Sequence, residues 1–110
     1  MTSRIPSMAT LKVLRALLDD ATGRHYGLEL IAATGIKSGA LYPILQRLEE
    51  QQWVQGEWED IDEHAEGRRR RRYYTLTPNG IAFAVDTLTS TAADLMPPAR
   101  LRRGLAGAFA

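Results

Sequence analysis

Between Ser38 and Glu50 the chain reads as one short helix with two unlike faces, and this limits the available folds more than any other feature. Leu41, Ile44, Leu45 and Leu48 recur at a spacing of zero, three, four and seven, which gathers side chains on one side of a helix. That side is built for burial. The opposite side carries Tyr42, Gln46, Arg47 and Glu49. Ser38 suits the N-cap, where its hydroxyl accepts a backbone hydrogen bond from the first turn. Gly39 and Ala40 then leave that turn bare, so its backbone can approach another surface closely. A helix that offers its start suits insertion into a groove of DNA.

The flanking segments supply a scaffold. Residues 7 to 20 carry Met8, Leu11, Leu14, Leu17 and Leu18 with Val13 nearby, a stripe wide enough to serve both a core and a partner chain. Asp19 to His25 has no periodicity and reads as a connection. Tyr26 to Thr34, with Leu28, Leu30 and Ile31, predicts a brief second helix closed by Gly35 in the left-handed conformation. Two helices joined by so short a glycine-bearing turn form a helix-turn-helix.

Beyond Glu50, Val54, Gly56 and Trp58 alternate with Gln55, Glu57 and Glu59, and Tyr74 and Leu76 alternate with Tyr73 and Thr75. That is the period of strands with one buried face. They bracket Asp60 to Arg72, which predicts an antiparallel hairpin with a long charged tip. Thr77-Pro78 restarts a helix as cap and first residue. Within it Ile81, Val85, Leu88, Ala92 and Leu95 are spaced four, three, four, three, a heptad seam. The seam either packs on its own domain or joins two chains with help from Leu11, Leu14 and Leu18, closed twofold dimers being the commonest oligomers. After Pro97-Pro98, Arg100, Arg102 and Arg103 with Leu101, Leu105 and Phe109 form either a small basic amphipathic tail or a frayed end, which Gly104 and Gly107 favour. The expected fold is mainly α with a small antiparallel β-hairpin: a winged helix-turn-helix over residues 1–77, a dimerisation helix over 78–96 and a basic tail over 97–110.

At 110 residues and 45% apolar the chain matches one small domain. No apolar run approaches the roughly 18 to 20 residues that span a bilayer, nor is there a signal-like start, so no membrane partner is expected and the cytoplasm is the expected compartment. With no cysteine, disulfides, thiolate metal sites and cysteine nucleophiles are excluded. The net charge of +1 conceals a segregation. Glu57, Glu59, Asp60, Asp62, Glu63 and Glu66 are followed directly by Arg68, Arg69, Arg70, Arg71 and Arg72.

These arginines at a hairpin tip can reach phosphates or the minor groove, alternate ones facing opposite sides so that two or three touch one duplex. The other reading is a solvated loop neutralised by its acids. Lys37 and Ser38 open the reading helix, where N–H groups and the helix dipole favour a phosphate. Tyr42 either meets DNA or lies over its own domain. Pro43 cannot donate to the carbonyl of Gly39, so the first turn should be bent or tightened there. Gln46 can pair with adenine, or with water. Trp53 and Trp58 either anchor the hairpin on the helices or line an aromatic effector pocket. No catalytic constellation or phosphate-binding glycine loop can be assembled, and no cofactor is called for. His25 with Glu29, or Asp62-Glu63-His64, makes too few ligands for a metal site.

Tyr26-Gly27-Leu28-Glu29-Leu30-Ile31, the run from Gly39 to Glu50, Trp58-Glu59, and Arg72-Tyr73-Tyr74-Thr75-Leu76-Thr77 with Gly80 together resemble the PadR-like winged-helix transcriptional regulators. The resemblance runs from about residue 8 to residue 95. It implies bacterial dimeric repressors that bind inverted repeats in double-stranded DNA, with the last helix as main dimer element and release by small aromatic compounds in some members. Departures are Gln52-Trp53 where the family usually has a glycine, a short connection between helices two and three, and a longer wing far richer in arginine. The last helix is of the shorter type, with little room for a ligand domain. A reading from another class keeps the fold but has the basic wing hold an acidic protein partner.

Overall fold

The computed structural model describes the backbone of residues 6–109 and side chains as far as 104, so Leu105 and Phe109 of the expected tail face lie outside the described side chains. The elements are α1 (Met8–Leu18), β1 (His25–Tyr26), α2 (Gly27–Thr34), α3 (Ser38–Glu50), β2 (Val54–Trp58), α4 (Glu63–Glu66), β3 (Arg72–Leu76), α5 (Pro78–Leu95) and α6 (Ala99–Phe109). Ser7 caps α1, its hydroxyl accepting from the Thr10 N–H at 3.1 Å. The apolar faces of α1, α2 and α3 meet in a core in which Val13, Leu14, Leu17, Leu30, Leu41, Leu45 and Val54 are fully buried. Burial of each large aliphatic side chain contributes about 1.5–3 kcal/mol.

The sheet has three strands in the order β1-β3-β2, all antiparallel. β2 and β3 form the hairpin, from Val54 opposite Leu76 to Trp58 opposite Arg72. β1 pairs His25 with Tyr74 and Tyr26 with Tyr73. This short strand takes His25 from the expected connection and Tyr26 from the expected start of the second helix, because two residues cannot show a period. It makes β3 central and changes the fate of Tyr73. Both Tyr73 and Tyr74 are buried, on opposite faces of one strand. Tyr74 belongs to the core, whereas Tyr73 is covered by the Tyr26 ring at 6.1 Å and the Arg24 guanidinium at 4.3 Å.

The turn between α3 and β2 explains the missing glycine. The N–H of Gln52 donates to the Glu49 carbonyl at 2.9 Å and that of Trp53 to the Leu48 carbonyl at 3.0 Å, which closes the helix in a Schellman turn. Gln52 accordingly takes φ 62°, the left-handed region where a Cβ is strained. Gln52→Gly is therefore expected to raise stability by about 0.5–1 kcal/mol. Urea unfolding measures this, and a lower midpoint would refute the strain.

α5 starts against the same turn. The Thr77 hydroxyl caps α5 by accepting from the Gly80 N–H at 2.9 Å and donates to the Gln52 carbonyl at 2.7 Å, while the Thr77 N–H donates to the Trp53 carbonyl at 3.0 Å. Gly80 packs so closely on that carbonyl that a Cβ there would overlap it. One turn later Phe83 stacks on the Trp53 indole, centroids 3.4 Å apart and planes within 8°. Trp53 thus anchors the hairpin base. Trp58 does not, being 59% exposed near the outer end of β2, although it shares the strand parity of buried Val54.

The heptad positions of α5 divide. Ile81 and Leu88 pack partly on the chain's own core, as does Leu18; Leu14 is buried within that core, and Leu11 is buried as well. Leu11 and Leu14, expected to help the seam join two chains, are thus already covered within the single chain. Val85, Ala92 and Leu95 remain exposed. The molecule is elongated, 63 × 39 × 25 Å. Residues 99–109, after Pro97-Pro98, form a helix of their own.

Candidate nucleic-acid interface

α3 buries Leu41, Ile44, Leu45 and Leu48 as its spacing predicts. Lys37, Ser38, Gly39, Ala40, Tyr42, Pro43, Gln46 and Arg47 are all exposed, so every candidate contact on this helix is available. The cap differs from expectation. Lys37 holds the N-cap position with extended backbone and no side-chain bond, and Ser38 is the first helical residue. The Lys37 carbonyl accepts from both the Ala40 N–H at 3.0 Å and the Leu41 N–H at 2.9 Å. The turn before Pro43 is thereby tightened, and no side chain of the described residues occupies its N–H groups.

Tyr42 serves its own domain in part. Its hydroxyl lies where a Cβ on Gly27 would stand, so the ring bridges α3 to the start of α2 while remaining exposed. Leu28, expected to help bury α2, is 73% exposed beside Gly27. Only its position on the outer face of the helix reveals it.

The arginine run is held at both ends. At Arg72 the guanidinium donates to Glu49 of α3 at 3.1 Å and lies 5.6 Å from the Trp58 ring centroid and 5.9 Å from that of Tyr74. Gly56 leaves the space this side chain occupies. Arg72 therefore ties the wing to the exposed helix. At the other end Arg68 forks onto Glu59 with bonds of 2.6 and 3.1 Å. The side chains of Arg69, Arg70 and Arg71 are exposed and make no hydrogen bond or ion pair among the described residues.

Glu59 also accepts the Arg71 backbone N–H at 2.7 Å. The Arg68 bond, opposed by burial and helped by the Arg71 N–H, lowers its carboxyl from 4.5 to about 2. A lowered carboxylate stabilises the fold fully above 4.5, and that contribution is lost as pH falls toward 2. Arg68 is reciprocally held charged by Glu59. The Tyr73 hydroxyl donates to Glu57 at 2.7 Å, and this bond raises its pKa. Burial raises that of Tyr74.

The tip also contains α4, a single turn unforeseen because it is too short for a period. Asp62 caps it and Gly67 ends it at φ 66°. His25 precedes α2 in β1, so it shares no helical face with Glu29, and its Nε2 donates to the Asp20 carbonyl at 2.8 Å. No group of three His, Cys, Asp or Glu suited to a metal occurs among the described residues. Among those residues, no helix is long and apolar enough to cross a membrane. An open cleft of about 810 Å³ between β2 and the start of α5 is lined by Glu49, Gln55, Glu57 and Asn79 among others, and neither tryptophan lines it.

A helix-turn-helix whose second helix is exposed beside an arginine-tipped hairpin defines a winged-helix protein of the kind that regulates transcription on DNA. The model of the transcriptional regulator PadR-like family matches residues 14–84, and the chain belongs to that family, whose members are DNA-binding regulators rather than enzymes. No curated protein matches. Among solved structures the chain is similar to the circadian clock associated protein Pex from Anabaena, at 29% identity and a TM-score of 0.57 over 74% of this chain and 71% of Pex. A PadR-like transcription factor from Bacteroides fragilis is 24% identical, with a TM-score of 0.64 over 80% of this chain and 82% of that one. A mutant of MarR from E. coli, complexed with operator DNA, is 24% identical with a TM-score of 0.62, over 82% of this chain and 59% of MarR.

Proposed function

We propose that the protein is a homodimeric repressor that occupies an inverted-repeat operator in double-stranded DNA. The observation that carries this is the exposure of Lys37 to Ala40, Tyr42, Pro43, Gln46 and Arg47 on a helix joined by Glu49–Arg72 to the wing. In this reading the backbone N–H groups of Ser38 and Gly39 take a phosphate, with Lys37 adding charge. Tyr42, Gln46 and Arg47 face base edges or the adjoining backbone, and Arg69, Arg70 and Arg71 grip flanking phosphates. A chain of the same fold, MarR, has been crystallised with operator DNA.

Exposed apolar residues supply the dimer half of the proposal. Met8, Val85, Leu95, Met96 and Leu101 are large and exposed, all at the start of α1 or along α5 and α6. Burying such side chains against a second copy places two reading helices at successive major grooves, about 34–36 Å apart. The Trp53 ring is already stacked on Phe83, which supports its reading as an anchor of the hairpin rather than as the wall of an aromatic effector pocket.

Selection of bound fragments from the source genome, repeated at several salt concentrations, tests this. A narrow set of promoter fragments carrying inverted repeats is expected, with binding that weakens steeply as salt rises. Recovery of no fragments would favour the protein-adaptor reading. A Val85→Glu, Leu95→Glu variant should sediment as a monomer and lose these fragments, and an unchanged oligomer would exclude this face.

A further inference from the structure

Acids placed beside a DNA-binding wing are expected to repel phosphate, yet the tip is built around one of them. Glu59 is only 8% exposed, although it stands at the edge of a charged loop. All of its hydrogen-bond partners converge on the arginine run. The two nitrogens of the Arg68 fork donate to its two oxygens, the Arg71 N–H donates to its Oε1, and its own N–H donates to the Arg71 carbonyl at 2.9 Å. Glu63 repeats the device one residue earlier by accepting the Arg70 N–H at 3.0 Å. Backbone at 70 and 71 is thus fixed from inside the loop by carboxylates, while the side chains of Arg69 to Arg71 are exposed.

We infer that Glu59 is a positioning residue for DNA binding: its carboxylate, gripping Arg68 and the Arg71 N–H, holds the wing tip in the arch that presents Arg69, Arg70 and Arg71 together. The inference rests on the proposal that the wing meets DNA. Two effects of Glu59 then oppose each other, and they differ in sign. As a bare negative charge it weakens attachment, and its removal would strengthen binding. As the anchor of the arch it strengthens attachment, because a loop backbone ordered before binding loses less entropy on contact. Its charge is already compensated by Arg68, so the ordering effect wins.

The test is titration of a fluorescein-labelled random-sequence duplex with the full chain at salt concentrations between about 50 and 200 mM. Glu59→Gln, which keeps the shape and removes the charge, is expected to bind several-fold more weakly. Its salt slope should also be flatter by about 1 for each phosphate that the wing no longer reaches. Asp60→Asn, which neutralises an exposed neighbouring acid, is expected to bind as tightly as the unaltered chain or more tightly. Glu59→Gln binding as tightly as the unaltered chain, or more tightly, overturns the inference. Should that variant fail to fold, Arg68→Lys, which keeps the charge and removes the fork, decides by the same criterion. An unaltered chain that binds no duplex at any salt refutes instead the DNA-binding reading beneath it.

Discussion

Replacing Arg69, Arg70 and Arg71 together by alanine is expected to lower affinity for duplex DNA on the order of 10- to 100-fold for each wing engaged near 0.1 M salt, taking each exposed charge contact at about 0.5–1 kcal/mol. The salt slope should fall by about 3 for each wing engaged. The melting temperature should move little, because these side chains are exposed and make no hydrogen bond or ion pair among the described residues. That pairing of results separates the three from their neighbours. Arg68 and Arg72 are joined to Glu59 and Glu49, so their replacement disturbs the wing itself. Unaltered affinity and slope in the triple variant would remove the tip from the interface.

Gly80→Ala is expected to destabilise the fold by about 1–3 kcal/mol, lowering the melting temperature by at least about 4 °C. The added methyl would meet the Trp53 carbonyl oxygen, a backbone atom that cannot swing aside. That carbonyl also accepts from the Thr77 N–H, and the adjacent indole is stacked on Phe83, so relief by moving the turn breaks further interactions. Thermal unfolding followed by circular dichroism measures it. A melting temperature equal to that of the unaltered chain would show that α5 does not sit as closely as described.

The parts of the fold legible in the sequence are those whose cause is local. The spacing of Leu41, Ile44, Leu45 and Leu48 states both that α3 is a helix and which face it buries. Thr77-Pro78 states where α5 begins, and Gly35 where α2 ends. What escaped depends on neighbours distant in the chain. β1 exists only because β3 offers an edge to Tyr26, and Tyr73 is buried only because Arg24 and Tyr26 cover it. Trp58 keeps the parity of Val54 but lies farther from the helical core, so alternation places it on the right face without burying it. In the candidate site the exposed face of α3 was legible, because the same period that buries four residues exposes the others. The division of the arginine run was not. Which arginine finds Glu59 and which finds Glu49 follows from the hairpin register and from the turn at Gly67.

The framing of the wing tip bears on how such a protein can vary. Positions 59, 63, 68 and 72 carry the architecture of the loop, whereas the side chains at positions 69, 70 and 71 carry charge and make no hydrogen bond or ion pair among the described residues. Arginines at those three positions can disappear by mutation without endangering the chain's ability to fold. If the wing meets DNA as proposed, each such change would instead shift the ionic strength at which the protein releases DNA, which leaves that set point adjustable one residue at a time.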